Sequence, residues 1–206
     1  MHFLIYVITF ICAYALGSSN MAYYISKIKK IDVKNQGSKN LGASNATMLL
    51  GWSAGILSAV HDIGKAVLAV VLANLIFPEV PLIGAVAGVA SVLGHIYPFY
   101  LKFRGGKGFA SFIGVTVALN WKIGLIILAV AVVVALITNY IVAGTTSMIV
   151  FSPIALAVFS HSLLLGIILA IASAVIAYKH RDNYVRIFNG TEFKLSKAFT
   201  KKPKYD

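Results

Sequence analysis

The sequence predicts an all-α membrane protein of seven transmembrane helices, N-terminus outside and C-terminus cytoplasmic. Three observations point there. Hydrophobic residues make up 59% of the 206 and charged residues only 12%, with a mean hydropathy of +0.87, far too apolar for a soluble domain. Apolar stretches then recur along the whole chain at lengths that suit a bilayer. Of the 18 Lys and Arg, five fall in the first loop, three in a glycine-rich turn and eight from Lys179 onward, so sixteen lie on one side, which the positive-inside rule makes cytoplasmic. The net charge of +12 is thus spread over loops that face anionic lipid, and it implies a membrane surface rather than nucleic acid. No repeat, low-complexity tract or linker divides the chain, which reads as a single domain over residues 1–206.

The first apolar run extends from Phe3 to about Ile25 and is long enough to cross; Ser18, Ser19 and Asn20 in its later half are residues that bind helices together. It has no Lys or Arg before it and no clear cleavage pattern, so it reads as a retained helix. Its Cys12 is the chain's single cysteine, which excludes a disulfide framework and a cysteine metal site. Ser26 to Thr47 reads as a polar loop. Met48 to Phe77 is apolar except for His61, Asp62, Lys65 and Asn74, and its length predicts a bend near Gly64. Asp62 and Lys65, three apart, share a helical face; at membrane depth they pair or face a polar cavity, either in catalysis or as an ion pair that positions a neighbouring loop. After Pro78-Glu79-Val80-Pro81 a span runs from Leu82 to Leu101. Phe109 to Asn120 is too short for the hydrocarbon core of roughly 30 Å, which predicts a short helix starting inside the membrane boundary. Trp121-Lys122 marks the far interface, and Ile123–Thr138, Ile141–Phe159 and Ser162–Tyr178 complete the seven.

Three polar segments fall on the cytoplasmic side, where alternating crossings let them build one site. The principal one is Gly94 to Gly108, which contains His95, Lys102, Arg104, Gly105, Gly106, Lys107 and Gly108. Backbone amides left free by its glycines, at the start of a helix and beside Lys and Arg, suit a phosphate monoester. Gly-Lys is followed by Gly108 and Phe109, so the Walker pattern fails. A plain basic turn, with glycines only for tightness, suits the same residues. In the first loop, Ser38, Asn40, Gly42 and Asn45 offer small donors and acceptors for a polyol or phosphate, or ordinary helix caps. The third segment, Lys179 to Glu192, places His180 and Asn183 on one face if the last helix continues through it; a His there is either a capping group or a catalyst.

Taken together, Gly37 to Asn45 (Gly-Ser-x-Asn-x-Gly-x-Ser-Asn), the Gly94 to Gly108 turn with its Gly-His-x-x-Pro start and Gly-Gly-Lys-Gly end, and His180-Arg181-Asp182-Asn183 resemble the acyl-phosphate-dependent glycerol-3-phosphate acyltransferase family (PlsY) of bacterial membranes. The resemblance implies transfer of a fatty acyl group from acyl phosphate to the 1-hydroxyl of glycerol 3-phosphate, at the cytoplasmic face of the cell membrane. By motif position it assigns Ser38, His180 and Asn183 to catalysis. Asn40, Gly42, Asn45, Lys65, His95, Lys102, Arg104, Gly105, Gly106, Lys107 and Gly108 fall to substrate binding. Asp62 and Lys65 match a family Asp-x-x-Lys, and Glu192 a family Glu near the C-terminus whose role is structural or chemical. The chain departs from the pattern at Met48, where the family carries an Arg able to bind phosphate by a bidentate fork that methionine cannot imitate. Lys39 replaces a small residue, Asn139 a basic one, and Val142 to Thr145 a Ser-rich start.

Acyl phosphate is a mixed anhydride with a good leaving group, so direct attack by the glycerol hydroxyl needs no acyl-enzyme, and no His-x-x-x-x-Asp acyltransferase motif is present. No cofactor is called for, and the His and carboxylate spacing matches no metal set. The alternative is a relative with the chemistry lost or retuned, acting as a transporter or as a lipid- or phosphate-binding membrane protein. The basic tail from Lys194 to Lys204 either lies against anionic lipid or is solvated.

Overall fold

A computed structural model describes residues 2–198; of the expected basic tail, residues 199 onward lie outside them. The described residues form helices, turns and loops without strands. The chain folds as two compact units, Met1–Leu119 and Asn120–Asp206.

The first unit holds α1 (His2–Ser18), α2 (Met21–Lys29), α3 (Ala43–Leu50), α4 (Trp52–Ile76), α5 (Ile83–Ile96) and α6 (Phe109–Leu119). Its centre is α5, nearly every residue of which is buried. Helix α1 packs along it at close range, because Gly17 lies on the backbone of Ser91 and Gly94 on that of Tyr14 and Ser18, where any Cβ would collide. Helix α4 packs on α5 and α6, with Gly88 against Val70 and Val115 and Gly114 against the Ile63 carbonyl. Small residues thus do most of the fitting, as expected where lipid removes the hydrophobic drive between helices. One apolar cluster joins Ala13, Ala69, Ala73, Ile83 and Ala87. A second, of Val33, Leu41, Ala46, Leu50 and Leu101, seats the first loop on the helices.

The second unit holds α7 (Trp121–Thr138), α8 (Ile141–Phe159), α9 (Leu163–Lys179), α10 (Arg181–Phe188) and α11 (Leu195–Ala198). Asn120 and Ser162 cap α7 and α9 by accepting from Ile123 N and Leu165 N. Helix α8 lies between α7 and α9, with Gly144 on the Ala131 carbonyl and Gly166 against Ala157.

Several boundaries differ from expectation. The polar loop is narrower than Ser26–Thr47, because α2 runs on to Lys29 and α3 starts at Ala43. Helix α4 continues unbroken past Gly64 for 25 residues, and the chain breaks earlier, at Gly51, whose φ of 94° a Cβ-bearing residue adopts only with strain. Five helical spans are long and apolar enough to cross a membrane, and six if α9 and α10, bent by 51°, make one. The seventh crossing rests on α6, whose 11 residues place it among the shorter apolar helices, as the residue count predicted.

Candidate functional site

The first loop is organised by Asn45, which is wholly buried. Its amide donates to Val33 O at 3.0 Å and Gln36 O at 3.1 Å, and its Oδ1 accepts from Ser38 N at 2.9 Å. Asn45 was expected to touch substrate; instead both its N–H groups are spent inside the loop, and it holds Ser38 in place. Gly37, with φ 60°, passes so close that a Cβ would strike Asn45 Oδ1. Ser38 is left exposed and Asn40 half-buried over Gly42, which starts α3 without a side-chain cap. Met48 is 50% exposed on α3. At the far end of the loop, the Asp32 carboxylate accepts from the Asn35 side chain at 2.7 Å, which holds its pKa below the ordinary carboxylate value.

The glycine-rich turn is tied to the end of α5. Pro98 starts a short 3₁₀ turn, Phe99–Leu101, after which Lys102 and Phe103 take left-handed backbone (φ 56° and 57°) and turn the chain back. Gly105 N then donates to Ile96 O and Gly106 N to His95 O, both at 3.1 Å. These two amides were expected free to hold a phosphate; both are occupied. The amides without an intrahelical acceptor are those that follow, in the first turn of α6, whose first bond is Phe112 N to Gly108 O. Lys102 and Arg104 are exposed and Lys107 is half-buried beside that helix start. Lys34 donates to Leu101 O at 2.9 Å and so fastens the first loop to the turn.

Beneath the turn lies a polar core. Between α1 and α2 the helix breaks at Ser19-Asn20, and carbonyls freed at membrane depth need donors. Tyr100 Oη donates to Ser18 O at 3.0 Å and Lys65 Nζ to Ser19 O at 2.5 Å. Asn20 caps α2 through Tyr23 N and donates to Leu41 O, tying the break to the first loop. Lys65 and His95 were expected among substrate-binding residues, but both are buried, at 5% and 2% exposure, with Asp62 at 2%. Asp62 Oδ1 lies 2.8 Å from Lys65 Nζ and 3.2 Å from His95 Nδ1.

In the second unit, His180 is the hinge between α9 and α10. The 51° bend overturns the expectation of a continuous helix carrying His180 and Asn183 on one face. They are linked instead by backbone, Asn183 N donating to His180 O at 2.8 Å. His180 Nδ1 lies 2.8 Å from Ile176 O, a partner that requires Nδ1–H and leaves the ring lone pair on Nε2. Glu192 holds α10, accepting from Asn183 Nδ2 at 2.6 Å and from Arg186 Nε at 2.7 Å.

Sequence reasoning missed several contributors. Lys34 gave no signal, since a lysine in a basic loop looks like solvent-facing charge. Ser19 was legible only as helix glue. Ser111, in the first turn of α6, is wholly buried with its hydroxyl unbonded, and nothing in its apolar surroundings marked it.

The family described as glycerol-3-phosphate acyltransferase matches residues 7–190. A glycerol-3-phosphate acyltransferase of Thermoanaerobacter pseudethanolicus is 38% identical over 191 residues, 92% of this chain and 95% of the relative. One of Shouchella clausii is 40% identical over 200 residues, 93% and 96% of the two chains. The fold is similar to a crystal structure of PlsY (YgiH), an integral membrane glycerol 3-phosphate acyltransferase, in its glycerol 3-phosphate form, with a TM-score of 0.86, 31% identity and 92% and 94% coverage. The lysophosphatidic acid form gives a TM-score of 0.85 at 29% identity, covering 95% and 99%. With a match that runs through both helical units and all three polar motifs, the chain belongs to the glycerol-3-phosphate acyltransferase family.

Proposed function

We propose that this protein transfers a fatty acyl group from acyl phosphate to the 1-hydroxyl of glycerol 3-phosphate, releasing phosphate and forming lysophosphatidate at the cytoplasmic face of the cell membrane. The observation that carries the reading is the likeness, over 92% of the chain, to a PlsY structure in its glycerol 3-phosphate form. Local geometry supports it. Lys107 precedes the start of α6, where first-turn amides and the helix dipole favour a phosphate group, and Lys102 and Arg104 are exposed on the same turn. The cradle is therefore the α6 start with Lys107, rather than the occupied Gly105 and Gly106 amides.

The acyl carbon of the mixed anhydride is attacked by the glycerol hydroxyl; the C–O bond to phosphate breaks and the hydroxyl proton passes to a base. Holding two phosphorylated reactants in line supplies roughly 7–11 kcal/mol of such a barrier. Ser38, Asn183 or a backbone amide supplies the hydrogen bond to the developing oxyanion. His180 with its lone pair on Nε2 is one base; a phosphate oxygen of the donor is the other.

The test is phosphate release from palmitoyl phosphate by protein purified in lipid, with and without glycerol 3-phosphate, alongside a direct assay of lysophosphatidate. Acceptor-dependent release matched by lysophosphatidate is the expected result. Donor binding without product overturns the reading in favour of a relative retuned at Met48, which stands half-exposed where the family carries Arg.

A further inference from the structure

Ionisable groups at membrane depth are costly unless paired, and a broken helix leaves carbonyls that need donors. The first unit brings both together at one lysine. Lys65 Nζ lies 2.8 Å from Asp62 Oδ1, 3.0 Å from His95 Nδ1 and 2.5 Å from Ser19 O, so its charge is enclosed by protein partners. The lysine is 5% exposed. The other edge of the His95 ring faces the glycine-rich turn, and a Cβ built on Gly106 would run into Nε2, Cε1 and Cδ2. The backbone of His95 holds the same residue, through Gly106 N to His95 O at 3.1 Å.

A second chemistry in this cluster is Ser19–His61–Asp62, which has the order of a nucleophile relay. Ser19 Oγ lies 3.0 Å from His61 Nε2, but His61 Nδ1 stands 3.5 Å from Asp62 Oδ1 without hydrogen-bond geometry. Asp62 is closer to Lys65 and to His95. By distance the carboxylate is the counter-ion of the lysine beside the His95 ring, and no hydrogen-bonded relay runs through His61.

We propose that Asp62, Lys65 and His95 are positioning residues for the phosphate cradle: the buried ion pair fixes the His95 ring, and the ring is the platform on which Gly105 to Gly108 and the start of α6 are held. The proposal rests on the reading of that turn as a phosphate site. It gives Lys65 and His95 a role that acts through the turn, with no contact to substrate, and it explains why position 106 has no side chain.

Two readouts on the full-length protein in lipid separate the proposal from the reading beneath it. In Asp62→Asn, amide hydrogen exchange at Gly105 and Gly106 is expected to accelerate about tenfold or more while the middle of α5 stays protected. The KM for a phosphorylated substrate is expected to rise about tenfold, with kcat changed much less, since a misplaced cradle loses binding to ground and transition states alike. Unchanged exchange overturns the proposal whatever the activity. Faster exchange with unchanged KM in an active enzyme shows that the turn is held from below but is not the phosphate site, which overturns the reading. If Asp62→Asn does not fold, His95→Asn removes the ring without stranding a charge and must give the same two shifts. In the double variant with Gly106→Ala, the KM effects are expected to fall short of the product of the single effects, because both disturb one contact; effects that simply multiply overturn the proposal.

Discussion

A buried amide side chain with all its N–H groups bonded is a structural part, and position 45 shows what that implies for the residues around it. Asn45→Ala removes three hydrogen bonds and takes from Val33 O its donor and from Ser38 N its acceptor, while Gln36 O keeps the Lys39 amide. The expected loss is about 1–3 kcal/mol, read as a lower unfolding temperature together with reduced activity as Ser38 loses its anchor. Unchanged stability would show that water replaces the amide. His180 is a second test at this scale. His180→Gln keeps a hydrogen-bonding group and removes the imidazole base, so turnover should fall about 10²-fold or more if Nε2 accepts the proton; substantial turnover in a folded variant assigns that role to the donor phosphate. Residue types and spacing single out Ser38, Lys107, His180 and Asn183 in the sequence as candidates. Which of the named residues face a ligand was not legible. The difference between Ser38, exposed, and Asn45, buried seven residues on, depends on where Gly37 turns the chain and on carbonyls of Val33 and Gln36 that no motif records.

Among the elements, apolar length was readable and the breaks were less so. The shortness of α6 followed from counting residues between the turn and Trp121. The bend at His180 did not, because neither Gly nor Pro lies there. The reversal at Lys102 and Phe103 was hidden for a related reason: two non-glycine residues take left-handed backbone, against their own preference, and thereby spend the Gly105 and Gly106 amides on α5. Helix α10 carries a prediction of its own. It has no buried residue, so apolar packing does little to hold it; Tyr184 Oη lies 3.1 Å from Thr146 Oγ1 of α8, and the two charge-assisted bonds to Glu192 fold the following turn back onto α10. Glu192→Gln preserves shape and weakens both, at a cost of about 1–2 kcal/mol local to α10. Trypsin cleavage at Arg181 and Arg186 should accelerate several-fold while α9 remains intact. An unchanged cleavage rate would place the restraint on α10 elsewhere.

For the whole molecule, the number of crossings decides on which side of the membrane every polar segment lies. Five spans qualify by length, and α9 with α10 adds a sixth. Helix α6 alone reaches about 16 Å at 1.5 Å per residue, roughly half the hydrocarbon core, so it crosses only if the glycine-rich turn sits within the membrane boundary. Charge supplies the argument that it does cross. With α6 as a crossing, sixteen of the 18 basic residues share the cytoplasmic side; if α6 turns back instead, the eight from Lys179 onward change sides, against the positive-inside rule. Single cysteines placed on a Cys12→Ser background separate the two cases. Lys122→Cys should react with a membrane-impermeant maleimide applied to intact cells, while Asn35→Cys, Arg104→Cys and Lys194→Cys should react only after the membrane is opened. Labelling of position 194 from outside, with 122 protected, would show that α6 is re-entrant. In that case the N-terminal and C-terminal motifs would face opposite sides of the membrane, and His180 and Asn183 could not act on a substrate held by Ser38 and Lys107. The sidedness of Lys122 therefore tests the fold and the proposed chemistry in one measurement.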